Sequence, residues 1–147
     1  MATKGVAVNQ PSPPLSLFRF VATATCLAVA ALSAAVHAAT PAELASSYTS
    51  QAGSPAAPSR GQQLFTVTHG REWSCASCHG AVPTQAGKHA ATGKPIAALA
   101  PASNPERFTD PAKVEKWFRR NCNDVVGREC TAAEKADVLG WLLTLKP

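Results

Sequence analysis

The stretch Ser74-Cys75-Ala76-Ser77-Cys78-His79-Gly80 decides how the rest of this chain is read. Two cysteines stand two residues apart, and a histidine directly follows the second. Haem c is held by two thioether bonds, formed as two thiols add across the porphyrin vinyl groups. The vinyls lie on adjacent pyrroles, so the thiols must sit a short, fixed distance apart. Two intervening residues on a helical turn supply that distance, and the next residue then falls beneath the iron. On this reading Cys75 and Cys78 carry the links to one covalent haem c, and His79 is the proximal iron ligand. Other uses of a CxxC pair fit less well. A thioredoxin-like dithiol calls for a βαβ context, which the sequence lacks. A zinc site would need Cys122 and Cys130 as its second half, but seven residues separate them and no histidine stands nearby.

The start of the chain is laid out for export. Lys4 and Arg19 sit in a polar leader, and an uncharged run from Phe20 to Val36 comes next. Val36-His37-Ala38 is a small-x-small site, so a signal peptide over residues 1–38 with cleavage after Ala38 is expected. The apolar run is short and Ala-rich for a membrane anchor, the rival reading. Removal of Lys4 and Arg19 takes two charges from a formal +5. The remainder is too weakly basic, and too poor in basic runs with interleaved aromatics, to suggest nucleic-acid binding. Of five cysteines, Cys26 leaves with the leader. Cys75, Cys78, Cys122 and Cys130 remain, an even number bound for an oxidising compartment.

Helix signals dominate residues 39–147. Thr40-Pro41-Ala42-Glu43 has the form of a capping box, with Leu44 and Tyr48 at i and i+4. Residues 39–57 thus read as a short helix and a Pro/Gly/Ser linker, and residues 58–147 as one cytochrome c domain. Ser59 and Gln62 form a second capping box, for a helix that ends near His69-Gly70 and puts Gly61, Leu64 and Phe65 on one side. Residues 80–109 are broken by prolines and glycines and read as a long loop, of the kind that wraps a cofactor. Asp110 and Pro111 open a helix carrying Val114, Trp117, Phe118 and Asn121 at i, i+3, i+4 and i+7, with Gly127 as its stop. Thr131 and Glu134 box the last helix, whose apolar face is Val138, Trp141, Leu142 and Leu145. No segment alternates as a strand, so the expected class is all-α.

The second axial position is the open question. Methionine is the common distal ligand of electron-carrying c-type cytochromes. Here the only methionine is Met1, lost with the leader, so a His-Met haem is excluded. His69 reads as an exposed histidine at a helix end. His89, in Gly87-Lys88-His89-Ala90, could make a bis-histidine haem or be a solvated loop residue. Asn121 differs because it shares a stripe with Val114, Trp117 and Phe118. A buried amide left unpaired costs roughly 1–3 kcal/mol, so it either bonds to a loop backbone or faces the iron. Its neighbour Cys122 lies eight positions before Cys130. On a continuous helix their Cα atoms would stand about 12 Å apart, too far for a disulfide. A turn at Gly127 makes the bridge feasible.

CASCHG, GKPIAALAP, NPERFTDPAKVEKWFRRNCNDVVGREC and TAAEKADVLGWLLTL together resemble the sphaeroides haem protein family, over about residues 58–146. The resemblance implies a class I cytochrome c fold with one covalent haem. It implies Asn121 as distal ligand in the oxidised state and a Cys122–Cys130 disulfide; the apolar neighbours Trp117 and Phe118 would then shape the haem pocket and limit water access. It further implies that reduction releases the asparagine and opens the iron to oxygen, nitric oxide or carbon monoxide. The implied redox partner is a dihaem or membrane-associated cytochrome c. The expected protein is a periplasmic, monomeric electron-transport and ligand-binding protein. The sequence shows no clear acid or base placed to work on a bound ligand, so the expected role is redox and binding first, with slow reduction of oxygen or nitric oxide following from an open ferrous haem. The rival is a plain shuttle with permanent ligands His79 and His89.

Overall fold

The computed structural model describes residues 38–147, and the leader falls outside the described residues apart from Ala38. Helix α1 spans Pro41–Ala52, and the Thr40–Glu43 capping box forms in both directions. Helix α2 spans Pro58–Thr66, and a single turn, α3, covers Ala76–His79. Next comes a two-residue antiparallel ladder, β1 (Gly87–Lys88) against β2 (Pro95–Ile96). Helix α4 runs Pro111–Val125 from an Asp110 cap. Helix α5 runs Ala132–Thr144 from the Thr131–Glu134 capping box. No helix among the described residues is long and apolar enough to cross a membrane.

Helix α5 is the centre of the packing because it is apolar on two faces. Ala136 and Leu139, both fully buried, meet Leu44, Ala45 and Tyr48 of α1 and Val114 of α4. Val138, Trp141 and Leu142 meet Phe65 of α2. The sequence stripe predicts only the second face. Phe108 and Phe118 touch both clusters and join them. Lys135 of α5 ties the first cluster to α4: its Nζ is 2.7 Å from Glu115 Oε2 and lies over the rings of Tyr48 and Phe118.

Helix α2 departs from expectation at both ends. The Ser59–Gln62 capping box does not form. The helix starts at Pro58 behind an Ala57 cap that has no side-chain cap bond. The job passes to Asp137 of α5, whose buried carboxylate accepts from the Ala57 backbone N–H and from Arg60 Nε, at 2.8 Å in the latter case. This suits the crossing: a Cβ at Gly61 would run into the Asp137 carbonyl, so α2 and α5 meet backbone to backbone. The helix ends at Thr66, short of His69, because His69 folds back and its Nε2 meets the Leu64 carbonyl at 2.8 Å. His69 is therefore half-buried and not an exposed terminal residue.

Candidate haem site

The motif turn is built by its own backbone. Cys78 and His79 both donate to the Cys75 carbonyl, at 3.2 and 3.1 Å, and Gly80 donates to that of Ala76 at 2.8 Å. Gly80 then leaves at φ +80°, which ends the turn directly after His79. Cys75 and Cys78 are both free thiols one turn apart and partly exposed. Burial pushes the Cys75 thiol up to about 11. Burial, and then the charge of Arg107, hold the His79 imidazole below its ordinary value. That keeps it neutral, the form in which histidine binds a metal. The His79 ring lies 6.1 Å from that of Phe65, which in turn lies 5.0 Å from Trp141.

The long segment after the motif is folded tightly onto it. A Cβ at Gly87 would strike the Cys78 carbonyl, so β1 lies flat against the turn. The Ala90 N–H donates to Cys78 Sγ at 3.2 Å. His89 is held within the same hairpin: its N–H bonds Lys94 O at 2.8 Å, and its Nδ1 accepts from Thr92 N at 3.2 Å. Further along the chain, the Leu99 and Ala100 N–H groups both donate to Pro83 O at 3.0 Å. Leu99 packs beside Cys75 and Ala76 on the second core cluster. The two-residue ladder has no sequence signal because alternation has no meaning over two residues.

The end of α4 carries the other candidates. The expectation that protein buries Asn121 is not met: Asn121 is exposed. Trp117, one turn earlier, is 43% exposed, with Arg120 over its ring at 5.5 Å. The buried arc of α4 runs Val114, Phe118, Cys122, Val125, so the stripe read from sequence straddles its edge. Val114 and Phe118 fall inside, and Trp117 and Asn121 form a shoulder beside it. Among the described residues the Asn121 side chain has no hydrogen-bond partner, whereas Asn123 Nδ2 bonds Arg119 O at 2.8 Å. The alternative in which Asn121 satisfies a loop backbone is therefore not realised.

Cys122 and Cys130 are joined in a disulfide, with Cα atoms 5.6 Å apart. Gly127 turns the chain between them at φ +82°, and its N–H donates to Cys122 O at 3.1 Å. Arg128 in the same turn grips Glu134 with Nη1 and Nη2 at 2.8 and 2.6 Å. The bridge also removes both cysteines from any zinc site with the CxxC pair. Among the described residues no group of three or more His, Cys, Asp or Glu is placed to hold a metal ion.

These residues fit a covalent haem. They supply two free thiols on one helical turn, a neutral imidazole beside them, and apolar walls of Phe65, Leu99, Phe118 and Trp141. Comparison with known proteins agrees. A family described as a domain of unknown function, DUF1924, matches residues 51–142. The cytochrome c-type protein SHP of Cereibacter sphaeroides is 55% identical over 106 residues, covering 69% of this chain and 81% of that protein. This chain belongs to that family. Cytochrome c'' of Methylophilus methylotrophus is 48% identical over 80 residues, 54% of this chain and 56% of its own length.

Solved structures match the same fold. Oxidised SHP, described as an oxygen-binding cytochrome c, aligns with a TM-score of 0.68 at 52% identity, over 72% of this chain and 97% of that one. Oxidised cytochrome c'' aligns at 0.65 and 37% identity, over 73% and 95%. The chain is thus an all-α monohaem cytochrome with covalent haem c. Cytochrome c-type proteins are generally periplasmic.

Proposed function

We propose that this cytochrome uses His79 and Asn121 as the axial pair of its oxidised haem, with thioether links at Cys75 and Cys78. Asn121 would be held only in the oxidised state, so that the reduced iron would be open to oxygen or nitric oxide. The haem supplies a one-electron couple and an exchangeable coordination position. One observation carries the reading: the Asn121 amide stands on an open shoulder of α4, without a protein partner, directly before the disulfide-anchored Cys122. A neutral amide is a hard, weak donor that suits ferric iron better than ferrous. His79, held neutral in its apolar surroundings, stays on the iron in both states. Trp117 and Phe118 flank the amide on the preceding turn and limit the approach of water. The oxygen binding ascribed to SHP supports the choice of ligand.

The bis-histidine alternative is disfavoured by the hairpin. His89 is held through its backbone N–H, and its ring Nδ1 accepts from Thr92 N–H, within a segment packed on the Cys78–His79 backbone. Export through a leader cleaved after Ala38, a monomeric state, and electron exchange with a dihaem or membrane-associated cytochrome c complete the proposal. Absorption spectra of oxidised and reduced protein, with and without carbon monoxide, test it. A reduced spectrum that carbon monoxide shifts is expected. A reduced low-spin spectrum untouched by carbon monoxide would overturn the open site, and absence of a Soret band would overturn the haem. A change of the ferric spectrum in His89→Ala but not in Asn121→Ala would overturn the ligand assignment.

A further inference from the structure

Arg107 is a cation without a carboxylate. Its Nε donates to Ala98 O at 3.0 Å and its Nη2 to Ala97 O at 2.9 Å, and among the described residues it makes no ion pair. Arg60, Arg119, Arg120 and Arg128 meet Asp137, Glu129, Asp124 and Glu134, and Arg71, which like Arg107 bonds only backbone carbonyls, is exposed to water. Arg107 is also half-buried. Neutral carbonyl dipoles orient a guanidinium but do not cancel its charge, and a partly desolvated cation is best matched by a carboxylate in fork geometry.

Its placement is enforced. The next residue, Phe108, is the one non-glycine residue with positive φ among those described, at +62°. A bulky side chain rarely accepts that conformation. Phe108 accepts it because its ring packs into both core clusters. The bend sends Phe108 inward and turns Arg107 onto the Ala97–Ala98 strip. That strip leads into Leu99, which packs on the second core cluster, as Cys75 and Ala76 do, and whose N–H is bound to Pro83 O. Arg107 is thereby fastened to the strip that runs into the second core cluster, on which Cys75 and Ala76 also pack.

We propose that Arg107 anchors the haem by pairing with one of its propionate carboxylates, and that this fixed cation biases the couple toward ferrous iron. This rests on the haem reading at Cys75, Cys78 and His79. A positive charge near the iron favours the less positive, reduced state, and the charge and hydrogen bonds of the surroundings are among the protein's means of setting a haem potential.

The test is spectroelectrochemistry of the covalently loaded protein, with resonance Raman of the propionate bending modes. Poised at the wild-type midpoint, Arg107→Gln is expected to move the ferric-to-ferrous ratio from unity to about ten, the shift that defines one decade for a one-electron couple. Arg107→Lys keeps the charge but loses the fork, so the bending mode moves while the ratio stays near unity. Asn104→Ala removes the other side-chain bond to Ala98 O, 3.1 Å in the native protein, and serves as the control for loop loosening. Equal ratios in wild type and Arg107→Gln, or an equal shift in Asn104→Ala, would overturn the proposal. Where Arg107→Gln fails to mature, an unmoved bending mode in Arg107→Lys overturns it. The carbon monoxide spectra of the same samples report separately on the open site.

Discussion

The two sides of the candidate site are held in opposite ways. The Cys75–His79 turn is enclosed by its own chain: the hairpin lies on its backbone, Ala90 bonds Cys78 Sγ, and Phe65 abuts the His79 ring. The Asn121 end of α4 is fixed by the Cys122 disulfide and by Arg71, whose Nη2 donates to Asn123 O at 3.2 Å, but the Asn121 side chain itself is exposed and unpartnered. In the proposed assignment the ligand that would stay, His79, is surrounded, whereas the ligand that would leave, Asn121, has no side-chain partner. The difference matches a proximal bond kept in both redox states and a distal bond kept in one.

The comparison can be broken from either side. The largest effect is expected from Phe65→Ala, which empties a fully buried site between Trp141 and His79. A loss of about 3–5 kcal/mol in denaturant unfolding is expected, together with a disturbed proximal spectrum. The double change Cys122→Ser with Cys130→Ser removes the distal tether. Reopening so short a loop should cost roughly 2–3 kcal/mol in the chain-entropy account. It should also raise the high-spin fraction of ferric protein, because Asn121 is no longer registered. If unfolding shows the loss and the ferric spectrum stays unchanged, the bridge is a staple only.

Acid probes the same corner more gently. Arg128 holds the Glu134 carboxyl down at about 2, from an ordinary 4.5. A carboxyl depressed on folding contributes stability that is fully present above the ordinary value and is lost as pH falls through the folded one. Stability should therefore decline between about 4.5 and about 2. Glu134→Gln should flatten that part of a pH series of thermal melts. The smallest effect on stability is expected for Asn121→Ala, within about 0.5 kcal/mol, since the side chain is exposed and unpartnered. Its ferric spectrum should nonetheless turn high-spin or water-bound. A large loss of stability with an unchanged spectrum would make Asn121 a structural residue.

What the sequence makes legible is local. Thr40 with Glu43, Asp110 with Pro111, and Thr131 with Glu134 open their helices as expected, since every partner lies within one turn. The start of α2 is not legible in this way because its capping group, Asp137, lies eighty positions away. The motif can be read from spacing, whereas spacing makes the Cys122–Cys130 bridge only feasible and the resemblance implies it. The exposure of Asn121 cannot, because a stripe of apolar residues gives the direction of a buried face but not its edge. Arg107 carries no sequence signal at all. Its partners are loop carbonyls, and its direction depends on a backbone bend at Phe108 that no residue type advertises.

The backbone contact of α2 with α5 at Gly61 and Asp137 has a consequence for how the molecule comes apart. It closes a loop that contains Cys75, Cys78, His79 and Asn121, while α1, α2 and α5 form the frame that packs against it. Cooperative units of this kind open separately. Amide hydrogens of α5 should then exchange slowest, those of residues 80–109 faster, and the frame should outlast the loop as denaturant is raised.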